Sequence, residues 1–504
     1  MSPKTVSFRT LGCKQNQYDT DYLKDTFRER GFQVRDGGPT DLVVVNTCAV
    51  TSKSAAKCRQ AIRAAARTGA KVIVTGCYAQ VSGEELAGIP GVIVVGGVRG
   101  RGELASLAEQ ALGQAGDCPI MAVRPHEEGQ AFEETPVPSP SLTRAFIKIQ
   151  EGCGDFCSYC IVPYARGPSR SRGVDAVLAE VENLVEKGFK EILLTGTHLG
   201  LYEAAYGSDT VGLSDVLPEP SSSADAAQAD GRDTDELFDT IPAPSPPAKD
   251  AQCDWVDTAA PPDAISAPLS PTDTAHHAGD NIVRLPGIIR RICEIKGLMR
   301  LRVSSLEPHD VTPDLIHCLR FPQVCQHLHL PLQSGSDDVL KRMGRRYDRA
   351  EFLRIVDEVR KVVPDLGIST DIIVGFPGET EEDFRDTLAV ARAAAFSRIH
   401  AFKYSPRPGT RASEFGGKVP EKEKDARAQR LIQLGRELSN DFHSKHIGKA
   451  VEILVEDDRA PDGSLTGVTR NYIRAYIEGG DRLRGQLLQA TAVCLTPDGV
   501  FCEA

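Results

Sequence analysis

Three cysteines lie close enough together in the sequence to bind one metal cluster from a single loop. They are Cys153, Cys157 and Cys160, and a strand-like run at 145–149 precedes them, so we expect them on the loop that follows a strand. Three thiolates at this spacing suit a cubic four-iron cluster, which usually has four cysteine ligands, so that one iron stays free to bind another molecule. Zinc is the alternative, but structural zinc sites are closed by four ligands. The next candidate ligand after the loop is His198, far along the chain.

Three more cysteines, Cys13, Cys48 and Cys77, each follow a strand-like run near the N-terminus. Helix-like segments separate these runs, and strands that alternate with helices predict an open parallel α/β sheet. Because ligands of such sheets bind at the carboxyl ends of the strands, we expect the three thiols to meet at one edge. The alternative for each cysteine alone is an inert, buried apolar side chain. Cys58 and Cys118 fall outside the strand ends, and we interpret both as structural.

This first domain comprises residues 1–125. Its helix-like segments are 19–30 and 54–67, and the expected N-cap of the second helix is Ser52 or Ser54.

A proline-rich linker at 126–143 leads to a second series of alternating segments, residues 143–436. The strand candidates are 145–150, 190–196, 299–305, 326–332, 367–374 and 398–404, and the helix candidates are 174–187, 285–296, 311–320, 349–362 and 380–395. Six parallel β-then-α units predict a (β/α)6 partial barrel, whose site again lies at the carboxyl ends of the strands. An open barrel with a wide mouth suits a macromolecular substrate.

Polar or glycine-containing strings follow several of these strands. They contain Gly196 and Thr197, Glu307, His329, and Gly375, Phe376 and Pro377. Each string alone also fits a plain turn, but their placement at successive strand ends favours a site. His329 fits an active role and a wall position equally well. Arg166, Arg170 and Arg172 follow the cysteine loop and suit a substrate phosphate or a cofactor carboxylate, with structural ion pairs as the alternative.

An acidic segment at 202–282 interrupts the barrel. It contains 16 Asp and Glu residues but only Arg232 and Lys249, so it carries a net charge of −14 within a chain of net charge −11. Its proline- and serine-rich composition cannot bury enough apolar surface to fold, and we predict a disordered insert. The remainder of the chain is mildly basic, which permits a nucleic-acid partner.

Residues 440–504 differ in character from the barrel. Short strand-like runs alternate with Gly and Asp turns, which predicts a small β-barrel. The region contains 7 Lys and Arg residues against 10 Asp and Glu residues, so an RNA-binding face would be a local patch. The candidates for that patch are Arg470, Arg474, Arg482 and Arg484.

The length and the cysteine content place further limits on the protein. A chain of 504 residues suits about two to four domains. The sequence lacks an apolar run long enough for a membrane span and lacks a charged-then-apolar signal, so we expect a cytoplasmic protein with no membrane partner. Fourteen cysteines in a reducing compartment indicate metal ligation rather than disulfides.

The cysteine loop resembles the signature of the radical S-adenosylmethionine (SAM) enzymes. The string from Phe146 to Arg172 is similar to the methylthiotransferase branch of that superfamily, and so are the strings around Cys13, Cys48 and Cys77. The resemblance implies that the free iron at the loop binds the methionine part of SAM, whose reductive cleavage gives a 5′-deoxyadenosyl radical. It also implies that the N-terminal cysteines hold a second four-iron–four-sulfur (4Fe-4S) cluster.

The same resemblance assigns further roles. Gly196 and Thr197 are expected at the methionyl amine of SAM and the string 375–377 at its adenine, with Tyr159 and Glu307 also in the cofactor site. The C-terminal region is expected to be a TRAM-like RNA-binding barrel. The implied partners are tRNA, an electron donor such as flavodoxin or ferredoxin, and a sulfur donor.

Three substrate branches compete within this family. The strings at Cys13 and Cys48 are most similar to the branch that acts on N6-threonylcarbamoyladenosine at position 37, in the anticodon loop of tRNA. Isopentenyladenosine-37 and a ribosomal-protein aspartate are the alternative substrates. The implied reaction uses two SAM molecules, one to methylate a sulfur at the N-terminal cluster and one to give the radical that abstracts hydrogen from adenine C2.

Arg166 is the candidate for binding the threonyl carboxylate, with Arg170 or Arg172 as the alternative, because arginine binds carboxylates in bidentate fashion. Two rival classes remain. One is a different radical enzyme with the same loop, and the other is a non-catalytic iron–sulfur protein that binds RNA.

Overall fold

The N-terminal unit is a six-stranded parallel sheet flanked by helices. The computed structural model describes residues 4–114, 118–127, 129–135, 139–206 and 281–503. The strands are β1 (Thr5–Thr10), β2 (Gln33–Val34), β3 (Leu42–Thr47), β4 (Lys71–Gly76), β5 (Val92–Gly96) and β6 (Ile120–Ala122), and the helices are α1 (Lys14–Glu29), α2 (Ser52–Arg67), α3 (Cys77–Val81), α4 (Gly83–Ala87) and α5 (Leu104–Gly113). The strand order is β2-β1-β3-β4-β5-β6, which confirms the predicted open parallel sheet.

Two details of this unit differ from the sequence prediction. Helix α1 begins directly after Cys13 rather than at Asp19. The prediction of Ser52 or Ser54 as the N-cap of α2 is wrong, because Thr51 has the extended backbone of a cap and its hydroxyl accepts a hydrogen bond from the Ser54 backbone N–H. Both serines lie inside the first turn of the helix.

The described part of the predicted linker packs onto its neighbours. The Glu133 carboxylate accepts a hydrogen bond from the backbone N–H of Gly100 at 3.0 Å. Glu134 pairs with Arg172 at 2.8 Å, and the Ser141 hydroxyl donates to Asp21 at 2.7 Å. The segment therefore connects the first unit to the second through specific polar contacts.

The central unit is a partial barrel of six parallel strands. Its strands and short ladders are β7 (Ala145–Lys148), β8 (Gln150–Glu151), β9 (Arg170–Ser171), β10 (Glu191–Thr195), β11 (Glu203–Ala205), β12 (Ile282–Arg284), β13 (Arg300–Val303), β14 (His327–His329), β15 (Gly367–Val374) and β16 (Arg398–Lys403). Its helices are α6 (Val162–Arg166), α7 (Val174–Glu186), α8 (Leu285–Cys293), α9 (Pro313–Cys318), α10 (Asp337–Met343), α11 (Arg349–Val362) and α12 (Glu381–Ala394).

Two three-stranded sheets, β13-β10-β7 and β14-β15-β16, build this barrel. A parallel bridge between Ser305 and His329 joins them, so the six strands follow one another in chain order. The predicted (β/α)6 partial barrel is confirmed, although the sequence did not predict helix α10.

The two faces of the barrel strands differ in polarity. Apolar residues of β10, β13 and β14 pack with the surrounding helices in one continuous core. Because side chains alternate along a strand, the residues between them point to the inner face of the barrel. This inner face, called the lumen below, is polar and is lined by Glu191, Arg302, His327, His329, Asp371 and His400.

The predicted insert at 202–282 has ordered ends. Strand β11 pairs antiparallel with β12, and Tyr202 is buried with its hydroxyl donating to the carbonyl of Arg172 at 3.0 Å. The predicted boundaries therefore include folded residues on both sides. The predicted disorder concerns residues 207–280, which lie outside the described residues.

The C-terminal unit is a closed five-stranded barrel. Helix α13 (Glu421–Ser444) leads to strands β17 (Ala450–Arg459), β18 (Leu465–Thr469), β19 (Arg474–Ile477), β20 (Leu487–Thr496) and β21 (Gly499–Glu503), which close in the order β17-β18-β19-β21-β20. This confirms the predicted small β-barrel. It packs against the amino ends of the central strands, where Arg300 donates to the carbonyl of Glu452 at 2.6 Å and Arg302 donates to the carbonyl of Thr469 at 3.1 Å. Within the described part of the chain, helices long and apolar enough to cross a membrane are absent.

Candidate active site

The loop that carries Cys153, Cys157 and Cys160 lies at the carboxyl end of the first barrel strand. Its first turn requires Gly152, which has a φ of +84° and whose added Cβ would overlap the carbonyl of Pro168. The loop is fixed across the barrel by Ser158, whose backbone N–H donates to the Met343 carbonyl at 2.9 Å. A short loop anchored at both ends holds its thiols in a defined arrangement.

The three thiols of this loop lie near one another. Burial, together with the charges of Cys157 and Cys153, raises the pKa of Cys160 to about 12. Thiols that resist ionisation when metal-free become ligands when a bound cation stabilises their thiolates. Arg345 donates to Cys157 Sγ at 3.4 Å and forms an ion pair with Glu307. Sequence reasoning did not identify Arg345, because it lies far along the chain from the loop.

His198 tests the alternative of a zinc site, because it is the next candidate ligand after the loop. Its Nδ1 lies 3.0 Å from Asp155 and its Nε2 lies 2.7 Å from Asp310. Burial lowers the pKa of His198, but hydrogen bonds to Asp155 and Asp310 outweigh it and raise the pKa to about 11. Both ring nitrogens are thus engaged by carboxylates, and Nδ1 also lies 3.7 Å from Cys153 Sγ, so His198 borders the cysteine loop.

Other residues predicted for the cofactor site surround the same strand ends. The Thr197 hydroxyl accepts a hydrogen bond from the Gly152 backbone N–H at 3.2 Å, and an added Cβ at Gly196 would lie 2.9 Å from the Gln150 amide oxygen. Phe376 is fully buried, with its ring 6.4 Å from that of Tyr159. Neighbouring Gly375 and Pro377 are buried as well.

Cys13, Cys48 and Cys77 come together at one edge of the N-terminal sheet. They follow β1, β3 and β4, which are neighbours in the sheet. Burial, together with the charges of Cys13 and Cys48, outweighs the lowering by Arg166 and raises the pKa of Cys77 to about 11. The parallel topology thus brings these thiols close together, as their positions at strand ends predict.

The two structural cysteines differ in environment. The Cys58 thiol is buried in α2 and accepts a hydrogen bond from the Cys48 backbone N–H at 3.4 Å. Cys118 is exposed beside β6. Cys58 therefore supports the position of Cys48, while Cys118 lies away from both sets.

One side chain connects the two sets of thiols. Gln15, in the first turn of α1 after Cys13, donates to the carbonyl of Gln150 at 3.2 Å. Its amide oxygen accepts a hydrogen bond from the Thr197 hydroxyl at 3.1 Å. Because Thr197 also contacts Gly152, next to Cys153, the two cysteine sites are linked through Gln15 and Thr197. The sequence did not predict this role.

The three arginines after the cysteine loop are buried in ion pairs. Arg166 contacts Glu151 at 2.5 Å and Asp19 at 3.6 Å, and Arg170 lies 3.6 Å from Glu151. Arg172 pairs with Glu180 and with Glu134. These contacts match the structural alternative for all three side chains rather than the substrate-binding interpretation. Arg166 also contacts Cys77, so its place is beside the N-terminal thiols.

His329 lies in the lumen, below the mouth of the barrel. Its Nδ1 is 2.9 Å from the Ser369 hydroxyl and its Nε2 is 3.3 Å from the Asp371 carboxylate. The His400 ring is 5.9 Å away. Asp371 remains 32 % exposed and His329 14 % exposed, so the lumen is accessible at this level.

The floor of the lumen contains a tyrosine from the C-terminal barrel. The Tyr472 ring stacks on His327 at 4.5 Å, with Arg302 at 4.7 Å and Arg144 at 5.6 Å from its centre. Burial raises the pKa of Tyr472, but Lys14, Arg144 and Arg302 outweigh it and lower the pKa to about 8. Three cationic side chains therefore surround the Tyr472 ring at the floor.

Two protein-family models match parts of the chain. The uncharacterized protein family UPF0004 matches residues 5–96, and the radical SAM superfamily matches residues 147–207 and 280–391. The chain is also similar to a radical SAM methyltransferase, TsrM, from Kitasatospora setae, with a TM-score of 0.49 and 15% identity over 82% of this chain and 77% of that one.

Curated relatives match over nearly the whole length. The threonylcarbamoyladenosine tRNA methylthiotransferase MtaB of Bacillus subtilis is 34% identical over 96% of this chain and 93% of its own length. The protein of the same name from Thermotoga maritima is 31% identical over 99% of this chain and 97% of its own length. The tRNA-2-methylthio-N(6)-dimethylallyladenosine synthase of Anaplasma marginale is 31% identical over 94% of this chain and 90% of its own length. With two sets of three thiols at adjacent strand ends and matches of this extent, the chain belongs to the methylthiotransferase family of radical SAM enzymes.

Proposed function

We propose that this enzyme adds a methylthio group to C2 of N6-threonylcarbamoyladenosine at position 37 of tRNA. The observation that carries the proposal is the presence of two separate sets of three thiols, joined through Gln15 and Thr197. The names of the two MtaB relatives support the threonylcarbamoyl substrate.

Radical SAM methylthiotransferases use SAM and 4Fe-4S clusters. We assign Cys153, Cys157 and Cys160 to the cluster that binds SAM, and the thiols after β1, β3 and β4 to the second cluster. The donor sets fit, because all the described cysteines are free thiols and each set presents three soft sulfur ligands. Bound at the loop, SAM supplies the radical that removes hydrogen from the adenine.

The protein contributes a fixed geometry to this reaction. Thr197 and Gly196 border the thiols of the loop, and Glu307 is held there by Arg345, which suits contact with the polar groups of SAM. Phe376 supplies a buried apolar wall beside Tyr159, which suits the adenine side of the cofactor. We expect a low-potential electron donor such as flavodoxin or ferredoxin, and a separate sulfur donor.

The C-terminal barrel is our candidate for contact with the tRNA. The arginine patch predicted from the sequence is largely engaged within the protein: Arg470 donates to the Val324 carbonyl at 3.0 Å, Arg474 pairs with Asp498, and Arg484 pairs with Asp481. These pairs are exposed or half-buried, and RNA phosphates compete for such arginines.

The polar lumen favours this substrate over isopentenyladenosine. An isopentenyl tail is apolar and calls for an apolar pocket, whereas the lumen presents Arg302, Tyr472 and three histidines. The threonylcarbamoyl group carries a carboxylate, a hydroxyl and a urea, all of which form hydrogen bonds.

Mass spectrometry of tRNA nucleosides tests the proposal. The protein is expressed in cells that lack their own methylthiotransferases, in parallel strains that make only one of the two modified adenosines. We expect the methylthio group on threonylcarbamoyladenosine alone. Its appearance on isopentenyladenosine alone would overturn the substrate assignment and leave the reaction type intact.

A further inference from the structure

The lumen contains one lysine that comes from outside the barrel. Lys14 is the first residue of α1, directly after Cys13, and its Nζ reaches to 6.0 Å from the centre of the Tyr472 ring. Tyr472 in turn stacks on His327 of β14. The side chain thus extends from the N-terminal cysteine site to the floor of the lumen.

The other cations of the floor have carboxylate partners. Arg144 pairs with Glu456 at 2.8 Å, and Arg302 pairs with Glu191 at 2.8 Å. Lys14 differs, because no carboxylate oxygen of a described residue lies within 4.0 Å of its Nζ. Burial and the charges of Arg144 and Arg302 disfavour the ammonium form of Lys14, and an incoming anion would offset both effects.

The acidic side chains of the lumen do not supply that anion. Glu191, whose charge acts on Lys14, is already paired with Arg302 at 2.8 Å. Asp371 lies 3.3 Å from His329, which offers it a partner of its own. A second polar atom is available at the floor, since His327 is buried and its Nδ1 has no hydrogen-bond partner among the described residues. The Nε2 of the same ring contacts the Ser369 hydroxyl at 2.9 Å, so the ring is held in place.

We infer that Lys14 binds the carboxylate of the threonylcarbamoyl group in the lumen and thereby determines the substrate specificity of the enzyme. The inference rests on the proposed function, and it identifies Lys14 as the residue that recognises the substrate. A lysine ammonium is a compact charge with three donors, which suits a carboxylate that enters from the open mouth of the barrel. This role replaces the one that the sequence suggested for Arg166, whose guanidinium is already paired with Glu151.

The test combines a change in the protein with a change in the substrate. Lys14→Met removes the charge and keeps the length of the side chain. The RNA is an anticodon stem-loop that carries either N6-threonylcarbamoyladenosine or its carboxylate methyl ester. Both proteins are reconstituted anaerobically, their iron contents are compared, and kcat/KM for the methylthio product is measured with each RNA.

We expect the parent enzyme to prefer the acid over the ester by about 10- to 100-fold, the usual effect of losing a hydrogen bond to a charged group. Lys14→Met is expected to convert both RNAs with similar kcat/KM values, and Lys14→Arg to restore most of the preference. Lys24→Met is the matched control, because Lys24 lies on the same helix and faces the exposed Asp36. This control is expected to keep the full preference.

Equilibrium binding gives a second readout that needs no turnover. The Kd values for the acid and the ester RNA are measured by fluorescence anisotropy without SAM, so a loss of cluster reduction in a variant does not obscure the result. If Lys14→Met discriminates between acid and ester as strongly as the parent, another residue binds the carboxylate and the inference is wrong. If the parent protein modifies neither RNA, the proposed function fails instead.

Discussion

The two cysteine sites of this enzyme are built in different ways. One is a single loop, in which local turns and the anchor at Ser158 set the positions of Cys153, Cys157 and Cys160. The other is assembled from the ends of three strands, so its geometry depends on the order β1-β3-β4 of the sheet. A local site tolerates changes elsewhere in the fold, whereas a distributed site depends on the packing of a whole domain.

A buried ionic network lies between the two sites. Glu151, two residues before Cys153, contacts Arg166 at 2.5 Å, Arg101 at 3.3 Å and Lys148 at 3.6 Å. Burial raises the pKa of Glu151, but Lys148, Arg101 and Arg166 outweigh it and lower the pKa well below its usual range. Arg101 and Lys148 also contact Asp19 of α1. The distributed site is thus tied to the local one by charges that are buried together.

Removing the ligands of one site at a time is the strongest test of this division. We expect the reconstituted protein to carry about eight irons, in two clusters. Replacing Cys153, Cys157 and Cys160 by Ala is expected to leave about four irons and to abolish cleavage of SAM. Replacing Cys13, Cys48 and Cys77 is expected to leave about four irons and to retain cleavage, with loss of methylthio transfer.

Iron analysis and the yield of 5′-deoxyadenosine measure these outcomes. As a control, Cys118→Ala removes an exposed thiol outside both sets and should change neither quantity. A full iron content in either triple variant would show that the ligands have been assigned wrongly.

Two glycines allow each site to be disturbed without touching a ligand. Gly152 has a φ of +84° and Gly76 a φ of +93°, and an added Cβ would overlap the backbone of residues 167–168 in the first case and of Thr47 in the second. Strain at such positions costs at least about 1 kcal/mol. Gly152→Ala is expected to impair SAM cleavage, and Gly76→Ala to impair methylthio transfer while cleavage continues.

The matched control for both variants is Gly69→Ala. Gly69 also has a positive φ, of +85°, but an added Cβ there meets no atom within 4 Å. Gly69→Ala introduces the same backbone strain without a steric overlap, so SAM cleavage and methylthio transfer should both persist. If each of the variants Gly152→Ala and Gly76→Ala lost SAM cleavage and methylthio transfer to the same extent, the two sites would not be separable.

The link between the sites is expected to have an intermediate effect. Gln15→Ala removes the hydrogen bonds to Gln150 and Thr197, each of which contributes about 1 kcal/mol. We expect methylthio transfer per SAM cleaved to fall about 10-fold, because the two sites are no longer held in fixed relative positions. Gln17→Ala is the control, since Gln17 lies on the same helix but contacts Asp21 and Ser141. The measurement is the ratio of methylthio product to 5′-deoxyadenosine, and an unchanged ratio in Gln15→Ala would contradict the link.

The sequence predicted the local site and the distributed site by different arguments. The spacing of three cysteines after a strand was sufficient for the first. The second could be predicted only through parallel topology, which brings the ends of distant strands to one edge. The folds of all three units could be predicted from the strand-like and helix-like patterns of apolar residues, because such patterns are local properties of the sequence.

The residues that sequence reasoning missed act through contacts with residues far away in the chain. Gln15 contacts a residue 135 positions away, and Arg345 contacts a thiol 188 positions away. Neither residue type is unusual in its own segment. The opposite error concerned Arg166, whose place beside the loop suggested substrate binding, whereas Asp19 from a different domain reaches it at 3.6 Å. The packing of α1 on the barrel reveals the contacts of Gln15 and Arg166, and the closure of the barrel reveals that of Arg345.

The smallest expected effect concerns the helix that supports the distributed site. The Thr51 hydroxyl accepts the Ser54 N–H at 3.0 Å and caps α2, which carries Cys58 against the Cys48 backbone. Thr51→Ala is expected to lower the free energy of unfolding by about 1 kcal/mol and to let the first turn of α2 fray.

In the central barrel, Thr312 caps α9 in the same way, accepting the Leu315 N–H at 3.3 Å. Thr312→Ala should therefore lower the free energy of unfolding by a similar amount, but the change is remote from the N-terminal thiols. Under a chelator, we expect iron to leave Thr51→Ala faster than the parent and to leave Thr312→Ala at the parental rate, as followed by visible absorbance. If the two variants lose iron equally fast, the second cluster depends on global stability rather than on the packing around Cys48.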